Sequence, residues 1–332
     1  MPEPSKIRRD TKSRAPSGFS LLEMMISITI LLGVAGVVMS GMMQTTRTEG
    51  SVQNRTEMHA SVRSATELLQ QEIGQAGRVS LPPVTNCCQM TTAVTTTGSP
   101  ATATLTTGLG AGMFPNEYLV VDAGINQETV QVSAISGDTI TAIFGLTHPA
   151  NVPVAVQGGF GSGIVPESAS PYNMTNGSDG THLKLYGDIN GDGKMVYVEY
   201  ICDYAGSGNL YRSVSPFSAT AIVAKQILLP NLASTGNPGG TPCFVYQEKP
   251  VNCNSTTVPC FVTDVAVTLT VQTQLPDPFT GRYQTETKAL LNVSPRNVFD
   301  AYDLSTLSNN RVQPMPATVG PSTGTPLMAQ TP

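Results

Sequence analysis

The clearest potential for metal chemistry lies in a run of oxygen-bearing side chains in the second half of the chain. Asp188, Asn190 and Asp192 alternate along it, and a further carboxylate follows at Glu199, which matches the calcium-loop pattern of EF-hands. Residues 195–200, however, have the pattern of a strand, in which Glu199 would lie roughly 20 Å from Asp192. The sequence therefore predicts either a weak Ca2+ site, made of three side-chain oxygens with backbone carbonyls and water, or a glycine-rich turn whose Asp and Asn side chains bond their own backbone.

The sequence contains no recognisable catalytic pattern. The three histidines, His59, His148 and His182, lie in a predicted helix and two predicted loops. There is neither a GxSxG nucleophile pattern nor a Walker-type phosphate loop in the sequence. We therefore expect each histidine to be a surface or packing residue and the protein not to be an enzyme; an anchored hydrolase is the weaker alternative.

The cysteines are compatible with disulfides in an oxidising compartment. There are six of them, at Cys87, Cys88, Cys202, Cys243, Cys253 and Cys260. Many pairings are open, and we favour Cys253 with Cys260, which would close a short loop. A metal site is the weaker alternative, because no CxxC pair or neighbouring histidine supports it.

Near the N-terminus, a potential processing site precedes a segment long enough to cross a membrane. A leader with five basic and two acidic residues ends at Gly18. Phe19 and a single acid, Glu23, then lead into an uncharged run over residues 24–46. About 20 apolar residues, each rising 1.5 Å, span the ~30 Å hydrocarbon core of a bilayer. Because basic residues favour the cytoplasmic side, the leader is expected there, with the rest of the chain across the membrane.

This order and spacing of residues resembles the N-terminus of type IV prepilins, which is shared by pilins and by the pseudopilins of type II secretion. The resemblance implies cleavage between Gly18 and Phe19 by prepilin peptidase and N-methylation of Phe19. It also implies that Glu23 neutralises the N-terminal amine of a neighbouring subunit during assembly. The implied partners are other pilins and minor pilins, contacted through the N-terminal helix, and an inner-membrane assembly platform. The alternative is a plain membrane anchor with Glu23 among the lipid headgroups.

The predicted fold class is α+β, with a long N-terminal transmembrane and stalk helix packed on a β-rich, pilin-like head. The mature helix is predicted over residues 19–80, with residues 24–46 in the membrane. An apolar stripe at steps of three and four predicts the face that meets the head: Met58, Val62, Ala65, Leu68, Leu69, Ile73 and Ala76. Gly77 and the prolines after it are the stop signals. No proline occurs within the helix, so a kink would have to come from Gly33, Gly36 or Gly41.

A linker and an inserted β unit are predicted over residues 84–160. Residues 103–157 alternate apolar and polar positions between turn residues. Their pattern, with Gly124, Glu128, Val130 and His148, is similar to small β modules of some phage and surface proteins. The alternative is that these are ordinary strands of a single head domain.

The β-rich head is predicted over residues 161–304. Its strand–turn–strand segments end at Leu210-Tyr211-Arg212, and its final strand leads to Pro295-Arg296-Asn297. This arrangement resembles the W-type minor pilins and the J-type pseudopilins. Residues 305–332 are rich in Pro, Thr, Ser and Gly with almost no charge, which predicts disorder.

Composition and charge are those of an exported protein. Removing the 18-residue leader from the 332-residue chain leaves 314 residues with 13 basic and 21 acidic side chains. This acidity argues against nucleic acid as a partner. We therefore expect a minor pilin, held in the inner membrane by one span with its head in the periplasm and then assembled into a pilus at the cell surface. A type II secretion pseudopilin, or a surface adhesin exported by the prepilin signal, are the alternatives.

Overall fold

A computed structural model describes residues 18, 20–169, 174–249, 260–305, 307, 311–320 and 325–332. These residues form a long N-terminal apolar helix and a body of several antiparallel sheets, in agreement with the α+β class. They fall into two compact units. The first extends along the chain to Gln53 and also contains Asp277–Gly281, and the second contains Asn54–Pro276 and Arg282–Pro332.

The first helix, α1, runs from Leu21 to Gln75 and contributes to both units. It ends just before Gly77, whose φ of 82° is the left-handed conformation that glycine adopts without steric cost. The Gly77 N–H donates to the carbonyl of Tyr186 at 3.0 Å. A Cβ atom at position 77 would lie 2.8 Å from Cγ2 of Val298. Conformation and packing therefore both require glycine at the first predicted stop signal, and the helix ends five residues before the predicted bound at residue 80.

Within the second unit, the last six turns of α1 carry the predicted apolar stripe. The stripe is confirmed, with Leu68 only half-buried at its margin. Its buried members are Met58, Val62, Ala65, Leu69, Ile73 and Ala76. They belong to one cluster with apolar strand residues such as Leu185, Val198 and Val267. Each fully buried Leu or Ile contributes roughly 2 kcal/mol, so the stripe holds this part of α1 against the sheets.

Two antiparallel sheets cover the stripe. The first has the order β11-β10-β9-β8 and the second the order β12-β13-β14. Their strands are β8 (His182–Gly187), β9 (Val196–Asp203), β10 (Asn209–Pro216), β11 (Gln226–Leu229), β12 (Phe244–Lys249), β13 (Phe261–Gln272) and β14 (Thr285–Val293). A bridge between Leu232 and Val271 connects the segment after β11 to β13. The strand expected over residues 195–200 and the final strand expected before Pro295 are therefore confirmed by β9 and β14.

The preceding six strands form a separate antiparallel barrel. They are β1 (Gln89–Met90), β2 (Pro100–Thr104), β3 (Tyr118–Val121), β4 (Glu128–Ser136), β5 (Thr139–Ile143) and β6 (Val152–Val156), in the order β1-β6-β3-β4-β5-β2. A bridge from Met90 to Leu105 joins the two ends of this order and closes the sheet. The barrel has its own core, which includes Leu119, Val132 and Ile140. It recruits β1 and part of β2 from the segment predicted as a linker, because Met90 and Val94 fill that core.

The C-terminal segment differs from the disorder expected for residues 305–332. After α2 (Arg296–Ser305), strand β15 (Val312–Gln313) pairs in parallel with β7 (Gly159–Phe160). Val319, Leu327 and Met328 are buried in a cluster with Phe160, Tyr186 and Phe217. These few apolar side chains hold the described parts of the tail in place, although its composition is dominated by turn formers.

Two disulfides lie within the described residues, Cys87–Cys88 and Cys202–Cys243. The second joins the end of β9 to the residue before β12, and its cysteines are 41 positions apart in sequence. It therefore links the two sheets. The expected Cys253–Cys260 pair depends on Cys253, which lies outside the described residues.

A buried ion pair connects α1 to the first sheet. Glu72 is almost fully buried, and its carboxylate accepts hydrogen bonds from the guanidinium of Arg212 and from the hydroxyl of Tyr200. Burial and the charge of Glu72 raise the pKa of Tyr200, so that its hydroxyl stays a donor. Arg212 is the last residue of the Leu210-Tyr211-Arg212 segment, and Leu210 lies in the core beside the helix stripe. This segment therefore clamps the helix by one apolar and one ionic contact.

We expect Arg212→Met to lower the free energy of unfolding by about 3 kcal/mol, because it leaves the Glu72 carboxylate buried without its cation. The double variant Glu72→Gln/Arg212→Met removes that charge and should be the more stable of the two. Thermal unfolding of the full chain in detergent, followed by circular dichroism, measures both. A double variant no more stable than Arg212→Met would show that the pair is not the origin of the loss.

Candidate functional site

The first half of α1 is apolar and exposed on every face. All residues from Leu21 to Glu49 are exposed. Leu21 is 78% exposed and Val37 is 75% exposed, values that a helix packed in a core would not show. Among the described residues, α1 is the one helix that is long and apolar enough to cross a membrane. By its length and composition, this segment could span a membrane.

Five hydroxyl groups within this half of α1 donate to carbonyls of the helix itself. Ser27 and Thr29 donate to the carbonyls of Glu23 and Met25, each at 2.8 Å and four residues back. Thr45, Thr46 and Thr48 make the same bond near the other end of the exposed segment. Hydroxyls bonded in this way do not need water, so they can lie in an apolar environment at low cost.

The predicted processing and assembly residues lie at the start of α1. Gly18 is exposed, and Phe19 lies outside the described residues. The carbonyl of Ser20 accepts the first helical bond, from the N–H of Met24 at 3.1 Å. Glu23 is the acid of the first turn, where the positive end of the helix dipole favours a carboxylate. Glu23 is therefore an exposed carboxylate at the edge of an apolar surface.

The aspartate-rich loop has the geometry of a turn. Asp188 is buried, and its carboxylate accepts the N–H groups of Asp192 at 3.0 Å and Gly193 at 3.2 Å. Asn190 and Asp192 are exposed. Among the described residues, no group of three or more His, Cys, Asp or Glu side chains is arranged to hold a metal ion. These contacts match the turn alternative, in which the side chains bond their own backbone.

Glu199 lies within β9 and is buried, which agrees with the strand predicted for residues 195–200. Its carboxylate accepts the Tyr197 hydroxyl at 3.1 Å and lies 3.9 Å from Nζ of Lys184. Glu199 is thus part of a buried polar network of the head, with Tyr197 and Lys184, and does not belong to the aspartate loop.

The structure brings together three polar residues of the barrel that sequence reasoning did not connect. Nδ1 of His148 lies 3.0 Å from Oδ2 of Asp122, and Nε2 lies 2.6 Å from Oε1 of Glu128. Glu128 also accepts the N–H groups of Gly145 and Leu146, at 2.8 and 3.2 Å. Glu128 and His148 were recognised as parts of one pattern, but only the pairing of β3 with β4 brings Asp122 beside them.

The arrangement Asp122–His148–Glu128 is suited to cross-linking loops and not to catalysis. The His148 side chain is fully buried, and both ring nitrogens are occupied by carboxylates, so neither is available to a substrate. Burial lowers the pKa of His148, but the hydrogen bonds and charges of Glu128 and Asp122 outweigh it and leave the pKa raised. The hydrogen bond from His148 likewise lowers the pKa of Asp122. His148 is therefore a buried packing residue whose raised pKa favours its charged form.

These pKa shifts set a pH window for the barrel. A raised pKa means that the contribution of His148 is complete below its unfolded value of about 6.5 and is lost as pH rises through the folded value. Asp122 contributes above its unfolded value of about 3.9 and loses that contribution as pH falls through its folded value. The cross-link is therefore strongest between about pH 4 and pH 6.5.

We expect His148→Gln to reduce the protection of barrel amides against hydrogen exchange by about 1–3 kcal/mol near pH 5.5, and by clearly less near pH 9. The measurement is exchange mass spectrometry on peptides from residues 89–156 of the full chain in detergent, corrected for intrinsic rates. His182→Gln, which removes a half-exposed partner of Asp179 outside the barrel, is the control and should leave these peptides unchanged. Equal losses at both pH values would contradict a charged His148.

Comparison with known proteins yields no match to any family model, any curated protein or any solved structure. Function must therefore be argued from the residues of this chain. The feature that bears most on function is the exposed apolar half of α1, with Gly18 before it and Glu23 in its first turn.

Proposed function

We propose that this chain is a prepilin-like subunit of a filament, and specifically a minor pilin that is held in the inner membrane before assembly. The observation that supports this most strongly is the division of α1. Its residues from Leu21 to Glu49 are exposed and largely apolar, whereas its later residues pack on the sheets of the head. An exposed apolar helix of this length suits a subunit that exchanges lipid for neighbouring helices.

The mechanism of assembly follows from the chemistry of the helix start. Cleavage between Gly18 and Phe19 would create a new cationic amine a few residues from Glu23. A carboxylate at the edge of an apolar environment costs a few kcal/mol unless it is paired. Pairing Glu23 with the Phe19 amine of a neighbouring subunit removes this cost for both charges. Because the rest of the surface is apolar and non-directional, this pair would set the axial offset between subunits.

The role of a minor component rests on the resemblance of the head segments around Arg212 and Asn297. Arg212 binds Glu72 of α1, and the Asn297 amide donates to the carbonyls of Gln75 and Ala76 at the helix end. Both segments therefore hold the helix in the head, which gives their positions a structural purpose. As a minor pilin the protein would prime or cap the filament. The same helix would serve a type II secretion pseudopilin, which is the alternative within this class.

Processing is tested by the N-terminal mass of the protein recovered from membranes of cells that contain a prepilin peptidase. We expect the wild-type chain to begin at Phe19 with one added methyl group. Gly18→Ala should retain the leader, because the peptidase cleaves after this glycine. Gly33→Ala is the matched control: a Cβ at Gly33 meets no atom within 4 Å, so this variant should be processed normally. A wild-type chain that keeps its leader, or is cut beyond residue 43, would overturn the proposal.

Assembly is tested separately with Glu23→Gln, which keeps the shape of the side chain but removes its charge. We expect this variant to be inserted and cleaved normally but to be reduced roughly tenfold or more in sheared filaments, since an unpaired amine costs at least about 1.4 kcal/mol. Quantitative immunoblotting of membrane and filament fractions measures the ratio. Glu49→Gln, at an exposed acid of the same helix, is the control. Equal amounts of both variants in filaments would exclude the pairing role of Glu23.

A further inference from the structure

A short loop from the far end of the sequence belongs to the same compact unit as the exposed half of α1. This loop, Asp277–Gly281, lies between β13 and β14. The hydroxyl of Ser51 donates to Oδ2 of Asp277 at 2.7 Å. A Cβ atom on Gly50 would lie 3.9 Å from Cγ of Pro278. The loop is therefore seated on α1 at the level of residues 50 and 51.

The direction of the loop follows from these two contacts. Asp277 lies at Ser51 and Pro278 at Gly50, so the chain advances toward the N-terminal end of α1 as it enters the turn. The other carboxylate oxygen of Asp277 accepts the N–H groups of Phe279 at 2.9 Å and Thr280 at 3.0 Å. This oxygen fixes the turn, and hydrogen bonding to Ser51 and to these N–H groups lowers the pKa of Asp277 to about 2. The loop is thus held in one conformation, with Phe279 at its tip.

The level of this tip along α1 can be compared with the dimensions of a bilayer. The exposed large apolar side chains of the helix end at Met43, apart from Val52. Gly50 is seven residues further, which is roughly 10 Å along a helix. The polar layer of a bilayer extends about 5–8 Å beyond the hydrocarbon on each side. A loop that advances from Gly50 toward Met43 therefore reaches the headgroup layer if the apolar residues of α1 fill the hydrocarbon.

Phe279 has the side chain that such a position favours. Phe279 is 56% exposed. Aromatic rings and apolar side chains on a polar framework bind at membrane interfaces, where part of the ring leaves water. The neighbouring helix residues, Thr45 to Glu49, are hydroxyl-bearing or charged and suit the same layer.

We propose that Phe279 inserts its ring into the interfacial layer of the phospholipid bilayer that surrounds α1, so that the Asp277–Gly281 loop is a second membrane contact beside the helix. This inference rests on the proposed function, because it requires α1 to be inserted. The contact would fix the depth of the helix before the subunit leaves the membrane for a filament.

The absence of tryptophan from the chain allows a direct test. Three full-length variants each carry one tryptophan: Phe279→Trp, Val34→Trp in the middle of the apolar helix, and Phe299→Trp on α2. Val34 is 57% exposed and Phe299 43%, so all three positions can accept the larger ring. Each variant is reconstituted into phosphatidylcholine–phosphatidylglycerol vesicles with a nitroxide quencher either on the headgroup or midway along the acyl chain.

We expect Trp fluorescence from position 279 to be quenched most by the headgroup nitroxide and to be shifted to shorter wavelength relative to position 299. Position 34 should be quenched most by the acyl-chain nitroxide. If position 34 is quenched in this way but position 279 is quenched no more than position 299, the inference fails and the inserted helix stands. If position 34 is not quenched by acyl-chain nitroxide, the membrane-inserted helix itself is excluded, and the inference falls with it.

Discussion

The exposed apolar surface of α1 is unfavourable in water, and this is the constraint on which the rest of the protein depends. Residues 21–49 of α1 have no buried face, and five of their hydroxyl groups donate to carbonyls of the helix itself, so that few groups in this segment apart from its charged side chains depend on water. Lipid and neighbouring apolar helices are equivalent environments for such a surface. In the proposed assembly, movement between them would change the free energy little, and the direction would come from the few charges that are present.

The second half of the same helix differs, because the head holds it in one fixed position. The apolar stripe supplies most of the free energy, but apolar contacts alone permit a helix to slide or rotate by one turn. Glu72, bound by Arg212 and Tyr200, excludes those alternatives because any shift would leave a charge buried without a partner. The Asn297 amide at the helix end adds a second fixed point. Specific polar contacts thus define the register of α1 against the sheets, in an interface that is otherwise apolar.

Periodicity in the sequence was sufficient to predict the helix stripe, the strands of the head and the stop at Gly77, since each depends on local spacing. The Asp122–His148–Glu128 cluster could not be predicted in the same way, because its members meet only after β3 and β4 pair and the loop before β6 folds over them. The packed tail was missed for a related reason. Val319, Leu327 and Met328 are too sparse to form a pattern, and their burial depends on a cluster supplied by distant strands. In the aspartate loop, a ligand-like spacing coincides with the hydrogen bonds of a turn, which Asp188 makes to its own backbone neighbours.

The way in which the chain enters and leaves the barrel has an evolutionary consequence. β1 and β6 are adjacent, with Gln89 opposite Pro153 and Met90 opposite Val152, so the two ends of the barrel segment emerge side by side, about 5 Å apart. A segment with such ends can be gained, lost or exchanged as a unit, since the flanking chain needs only a short connection in its place. The scaffold of helix and sheets could therefore exchange a whole module at one junction without any change to the residues that hold α1.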